Sequence, residues 1–306
     1  MENNIHYREL KELTADDYEL IKKYFSLRQA VTCESIATST YIWKIYYNTK
    51  YYINEYGIVF VYSNKDEVFT FTPICKQEDI KACFLDAKKY FNEVLGQKLK
   101  AYAIDEEAIK ELADLDDKFD IVEERMYFDY LYDAEGLKNL SGKKYHKKKN
   151  HVNGFKKAYE GRYEMREMTF SDKEEILSFL DKWHSMRDIV DEYKRDDYEL
   201  MGIKYILNNC QMLDIKMFGI YVDGALEAFT LGTYSEGEKT AYIHVEKANP
   251  DIRGLYAFIN QQFIVNCFPE ALYVNREDDM GFEGLRQAKM SYNPIKLVKK
   301  YEMYEK

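Results

Sequence analysis

The stretch KMFGIYVDGALEAFTLGTY, residues 216–234, holds two apolar and aromatic runs separated by Asp223-Gly224. The central residues of a two-residue hairpin turn need positive φ, which Asp-Gly tolerates. The spacing therefore predicts an antiparallel hairpin of Lys216–Val222 with residues 226–234. Glu236-Gly237 then turns the chain into a third strand, TAYIHV, at 240–245. The first half carries the same order: INEYGIVFV at 53–61, turn residues at 63–66, and VFTFTPI at 68–74. Each meander follows a short strand and an amphipathic helix with acids in its first turn. These are YRELKELTADDYELIKKYF at 7–25 and YEMREMTFSDKEEILSFLDKW at 163–183. Carboxylates there complement the exposed N–H groups and the positive end of the helix dipole. After the second meander come a strand at 271–274, the polar loop NREDDMGFEG, a helix at 285–290 stopped by Ser-Tyr-Asn-Pro, and a closing strand at 295–301. The pattern is α+β and predicts two related halves. The alternative is one large mixed domain whose two beginnings look alike.

Composition narrows the function. The 306 residues are 46% hydrophobic and 16% aromatic, with 29 tyrosines, enough to bury a sizeable core. The 32% charged residues mix both signs along most of the chain, which excludes a disordered polyelectrolyte. Cys33, Cys75, Cys83, Cys210 and Cys267 form no CxxC pair and have no zinc spacing, so they read as reduced thiols and no metal is expected. The beginning, MENNIHYREL, has charges where a secretory signal needs an apolar core, and no apolar run approaches the ~20 residues of a membrane span. The expected location is the cytoplasm, with any membrane met at its surface.

Against a net charge of -10, LSGKKYHKKKNHVNGFKK at 140–157 holds seven lysines and two histidines and no acid. As a helix it gathers Tyr145, Val152, Phe155 and Tyr159 on one side, with Ser141 as its N-cap. Lys148, Lys149 and Lys156 flank that stripe, where a plain surface helix would carry few charges. One reading is a solvated basic helix joining two domains. The other is a phosphate-binding strip of Lys143, Lys144, His146, Lys147, Lys148, Lys149 and Asn150. The partners it suggests are tRNA and an anionic lipid headgroup; the overall acidity argues against general DNA coating.

This basic stretch resembles the basic motif of the phosphatidylglycerol lysyltransferase C-terminal-domain family. The tail VNREDDMGFEGLRQAKMSYNPIKLVKKY (274–301) resembles that family's other signature, with the pattern Asn-x-x-x-Asp-x-Gly-x-x-Gly-Leu-Arg-x-x-Lys. YIHVEKANPDIRGLYAFINQQF (242–263) and CESIATSTYIWKIYY (33–47) are similar to its segments too. At 149 stands lysine where many members have arginine. The resemblance implies two tandem acyltransferase domains of the GNAT type. The first, 1–137, is expected to be a non-catalytic scaffold; a basic connecting helix covers 138–160, and 161–306 is the catalytic half. It also implies transfer of an amino acid from aminoacyl-tRNA, the donor substrate, to phosphatidylglycerol or another hydroxyl or amine acceptor, with no cofactor.

Candidate residues follow from the chemistry such a transfer needs. Glu246, after the third strand, suits a substrate ammonium or general-base work, or else a surface pair with Lys247. Asn275, Asp278 and Asp279 crowd one loop and suit a cationic substrate or, equally, helix capping. Arg286 and Lys289 could stabilise developing negative charge, or pair with those acids. Arg253, Gly254 and Tyr256 stand at a helix start where GNAT enzymes hold the pyrophosphate of acetyl-CoA. The spacing departs from that loop, since a tyrosine occupies the small position, but the helix start could still receive a phosphate. His244 reads as a satisfied core histidine, and no Ser or Cys nucleophile triad is apparent. Two other functions stay open: a CoA-dependent N-acyltransferase, and a non-catalytic protein that docks RNA or acidic membrane.

Overall fold

The computed structural model describes residues 9–186 and 194–306. The chain forms two compact units, Met1–Phe128 with Val298–Lys306, and Asp129–Leu297. Both are α+β and GNAT-like.

In the first unit, Lys11–Glu12, Lys50–Ile53, Gly57–Ser63 and Val68–Phe69 form a sheet in that order, with Ile74–Cys75 also paired to Gly57–Ser63. The single strand expected over 53–61 is two, because the Asn54 side-chain oxygen accepts from the Tyr56 and Gly57 N–H groups and turns the chain between them. Gly57 is needed there, since a Cβ would stand 2.3 Å from the Ile74 carbonyl oxygen. The run at 68–74 likewise divides, as Thr70 leaves its neighbours to bridge to Ala101. Helix Ile80–Glu93 buries Ile80, Cys83, Phe84, Ala87, Tyr90 and Phe91. A second sheet places Lys300–Glu305 between Lys100–Asp105 and Phe119–Glu123.

The second unit is built on a seven-stranded sheet: Lys296–Val298, Asp129–Asp133, Tyr273–Asn275, Thr240–Ala248, Ala225–Ser235, Lys216–Val222, Tyr163–Met168. The expected hairpin is present. Asp223 and Gly224 have φ of 51° and 82°, as its two-residue turn requires. The third strand pairs antiparallel with Ala225–Ser235 and parallel with Tyr273–Asn275. Helix Leu255–Cys267 is apolar on nearly every side and lies in the core, with Phe258, Ile259, Phe263 and Ile264 fully buried.

The basic helix packs on it. Tyr145, Val152 and Phe155 are buried and Tyr159 is half-buried, so the stripe read from the sequence does face the core. Ser141 is not its cap. Leu140 and Gly142 have positive φ, Lys143–Tyr145 makes one 3-10 turn, and the α-helix proper is His146–Ala158. Gly254 has φ 90°, and a Cβ on it would stand 2.3 Å from the His151 carbonyl oxygen, so a glycine there lets the two helices meet. The unit begins at Asp129 rather than after 137, because Asp129–Asp133 pairs with Tyr273–Asn275. The basic helix thus belongs to this unit, and residues from Val298 onward belong to the first. The closing strand expected at 295–301 divides accordingly into Lys296–Val298 and Lys300–Glu305. The strand expected at 271–274 is Tyr273–Asn275.

Candidate active site

The parallel pairing in the second unit is short: Thr240 with Tyr273, Ala241 with Val274, Tyr242 with Asn275. Thr240–Ala248 runs on while its partner gives way to a loop at Arg276. The two backbones part there, at the carboxyl ends of a parallel pair, and the place between them, here called the notch, is where open sheets commonly leave room for ligands. A bulge sits at the same place. Leu231 pairs with Val245 and Gly232 with Ile243, which leaves His244 as the extra residue.

Side chains from both banks bridge the notch. Arg276 donates to Glu246 Oε1 at 2.9 Å, and Asn260 donates to Glu246 Oε2 at 2.8 Å. His244 Nδ1 lies 2.8 Å from Glu277 Oε1 and its Nε2 lies 3.1 Å from Thr233 Oγ1. His244 is thus buried with both nitrogens engaged, as read from the sequence. Tyr132 and Tyr292 flank the Arg276 guanidinium, 5.9 Å and 4.7 Å from their ring centroids. Burial opposes the charge on Arg276, but Glu246 and the two tyrosines outweigh it and hold the group cationic. Among the described residues its Nη1 is buried without a hydrogen-bond acceptor.

The basic helix supplies the next group. Lys148 Nζ lies 3.8 Å from the Tyr292 ring centroid. Burial, then the neighbouring Arg276 charge, push its pKa down to about 8, against the opposing pull of Glu246. Among the described residues no protein atom accepts a hydrogen bond from this ammonium. Burial pushes the Tyr292 hydroxyl up to about 12. Lys143, Lys144, His146, Lys147, Lys149 and Asn150 are exposed on the outer side of the helix.

The loop after Asn275 is held by the other residues singled out from the sequence. Asn275 is buried, accepts from the Glu277 N–H at 2.7 Å and donates to Asp129 at 3.0 Å. Asp278 accepts from the Met280 N–H at 2.9 Å. Asp279 is fully buried. Arg286 grips it with two bonds of 3.0 Å, Tyr130 donates to it at 2.5 Å, and the Gly281 N–H at 3.0 Å. Burial would raise the Asp279 pKa, but these donors outweigh it and bring it down to about 2. Lys289, 8% exposed, donates to the carbonyls of Arg276 and Asp278 and so pins the segment that carries Arg276. Burial pushes its pKa down. Arg253 is exposed, and the half-exposed Tyr256 hydroxyl meets Trp183 Nε1 at 3.1 Å. These two stand at the start of Leu255–Cys267, next to Gly254.

Glu246 and Lys148 are therefore brought together in the notch. Asn275, Asp278, Asp279, Arg286 and Lys289 shape its outer bank, and the remaining lysines face away. Sequence reasoning missed Arg276, Tyr132, Tyr292 and Asn260. Arg276 lay inside the quoted tail motif, one residue after Asn275, and that adjacency was the signal available.

Comparison with known proteins agrees with this architecture. A structure of a conserved protein of unknown function from Bacteroides thetaiotaomicron is 28% identical. It superposes with a TM-score of 0.90, covering 98% of this chain and 100% of that one. An uncharacterized protein of Mycoplasmoides gallisepticum is 25% identical over 283 residues, 87% of this chain and 90% of its own. The C-terminal domain of a putative lysylphosphatidylglycerol synthetase from Agrobacterium fabrum shares the fold at 16% identity and a TM-score of 0.69, covering 95% of this chain and 92% of that one. The family model described as phosphatidylglycerol lysyltransferase, C-terminal, matches residues 25–304. That span takes in most of the first GNAT-like unit and all of the second, with the basic helix and the Asn275–Lys289 segment, and the chain belongs to the phosphatidylglycerol lysyltransferase C-terminal family.

Proposed function

We propose that the protein is an aminoacyltransferase that moves an amino acid from aminoacyl-tRNA to a lipid of the phosphatidylglycerol type or to another hydroxyl or amine acceptor. Family membership supports the reaction class. The observation that carries the reading is the placement of one helix: its exposed face offers cations to a polyanionic carrier while Lys148, on the same helix, reaches the notch beside Arg276 and Glu246. The helix thus connects a surface suited to RNA phosphates with a site suited to acyl chemistry.

In this reading the acceptor oxygen or nitrogen attacks the ester carbonyl carbon of the aminoacyl group. The carbonyl oxygen takes the negative charge in the tetrahedral intermediate. The bond to the terminal ribose oxygen then breaks, and that oxygen receives the proton given up by the acceptor. Positioning the two substrates supplies much of the rate. The cations in the notch favour the oxyanion over the neutral ester. Glu246, the carboxylate inside the notch, is the candidate relay for the proton. No cofactor takes part. The work is expected at the cytoplasmic face of the membrane when the acceptor is a lipid, and no helix among the described residues is long and apolar enough to cross one.

The test is transfer of radiolabelled amino acid from charged tRNA into a lipid extract and into soluble acceptors. Label recovered in an acceptor, and lost after Glu246→Gln, is the expected result. A folded protein that moves no label from any charged tRNA to any acceptor contradicts the proposal.

A further inference from the structure

We infer that Lys148 and Arg276 form a receptor for one phosphodiester group inside the notch, distinct in role from the lysines that face outward. The inference deepens the transferase reading. It rests on that reading for the two sources considered below, though not for the binding itself.

Charge is the first argument. The groups that face one another here are Lys148 from the basic helix, Arg276 from the loop, Glu246 from the sheet, and the rings of Tyr132 and Tyr292. Glu246 is engaged on both oxygens, by Arg276 and Asn260. With both cations protonated and one carboxylate, the cluster carries one uncompensated positive charge. A half-buried ammonium whose neighbouring carboxylate is already held by Arg276 and Asn260 is costly unless a further anion arrives to pair with it.

Donor geometry is the second. Arg276 spends Nη2 on Glu246 and keeps Nη1 buried without an acceptor. A buried donor with nothing to bond is a group that needs an explanation, and a ligand is one. Lys148 offers a second, separate donor over the Tyr292 face. Two donors of different shape, a planar fork with one free prong and a point charge, suit two oxygens of a tetrahedral anion. The single spare charge matches a diester, which carries one negative charge, better than a phosphomonoester, which carries nearly two. Lys289 clamps the Arg276 carbonyl at 2.5 Å and so fixes the loop that aims this donor.

The same chemistry has two sources in the proposed reaction: the headgroup of a phospholipid acceptor and the phosphodiester beside the 3′ end of the RNA donor. The full-length protein can be titrated with glycerophosphoglycerol and, separately, with the dinucleotide cytidylyl-adenosine, with acetate as the planar control. Binding is read from the ammonium and guanidinium NMR signals of Lys148 and Arg276. The expected result is that at least one diester moves both signals, that acetate binds more weakly, and that Lys148→Met weakens the diester by about tenfold or more while the fold is unchanged. The diester that binds more tightly identifies the source. Arg276→Lys, which keeps the pair with Glu246 but removes the spare nitrogen, should weaken binding too. The inference is overturned if acetate binds as well as the diesters, or if only outward-facing lysine signals move. It is also overturned if neither diester moves the two signals. Diester binding without any aminoacyl transfer would leave this inference standing and remove the transferase reading; transfer with no diester bound here would do the reverse.

Discussion

Lys148 and Asp279 are both ionisable groups inside one unit, and their surroundings drive them in different directions. Asp279 is buried but gripped by Arg286, Tyr130 and the Gly281 N–H, which bring its pKa from 3.8 to about 2. A depressed carboxyl pKa gives stability that is full above the unfolded value and lost as pH falls through the folded one. The Asp279 contribution should therefore hold down to pH 3.8 and disappear toward pH 2. Asp279→Asn removes the charge while leaving Arg286 half-paired, and urea unfolding at neutral pH should show a loss of about 3 kcal/mol. Lys148 is the opposite case. Its unfolded pKa of 10.5 falls to about 8 in the folded chain. Between those values the unfolded state binds more protons, so its unfavourable contribution is full below pH 8 and relieved as pH rises to 10.5. Lys148→Met should raise the melting temperature at pH 7, with the gain shrinking above pH 8. A residue that costs stability and persists at a cleft fits a functional demand.

At the scale of elements, the joint between the basic helix and helix Leu255–Cys267 depends on Gly254. Gly254→Ala must accept both φ 90° and a carbonyl oxygen at 2.3 Å, and thermal or urea unfolding should register a loss of about 2–4 kcal/mol. The outward face of the same basic helix is a separate matter. Replacing Lys143, Lys144, Lys147 and Lys149 by glutamine should leave stability within about 0.5 kcal/mol per site. It should weaken tRNA binding and flatten the dependence of log affinity on log salt by up to about 0.9 per lost phosphate contact. Filter binding at several salt concentrations reads both. Much of this level was legible beforehand. Asp223-Gly224 announced its hairpin because few sequences tolerate two positive φ values in a row. The apolar stripe of Tyr145, Val152, Phe155 and Tyr159 announced the buried face of the basic helix. The break at Asn54 stayed hidden, because a side-chain oxygen that replaces a strand bond leaves no mark on the hydrophobic pattern. Ser141 looked like a cap, but the left-handed backbone at Leu140 and Gly142 displaced the helix start.

For the whole molecule, the tandem α+β character was readable from the repeated order of elements, and the family from its two motifs. The boundaries were not. Asp129–Asp133 has as its sheet neighbours Tyr273–Asn275 and Lys296–Val298, both well over a hundred residues later in the chain, and local periodicity carries no information about such partners. The notch was half-legible for the same reason. Glu246 follows a visible strand, but Arg276, Tyr132 and Tyr292 converge on it only through the parallel pairing of Thr240–Ala248 with Tyr273–Asn275. The central claim is that the basic helix has two functions, with the outer lysines gathering the RNA and Lys148 serving the chemistry. Single-turnover transfer from charged tRNA separates them. The four-lysine outer variant should need more charged tRNA to reach half-maximal rate while keeping the maximal rate, and Lys148→Met, at a fixed acceptor concentration, should lose rate even when charged tRNA saturates. If both variants shift only the tRNA requirement, or neither changes transfer at all, the division of labour on that helix is wrong.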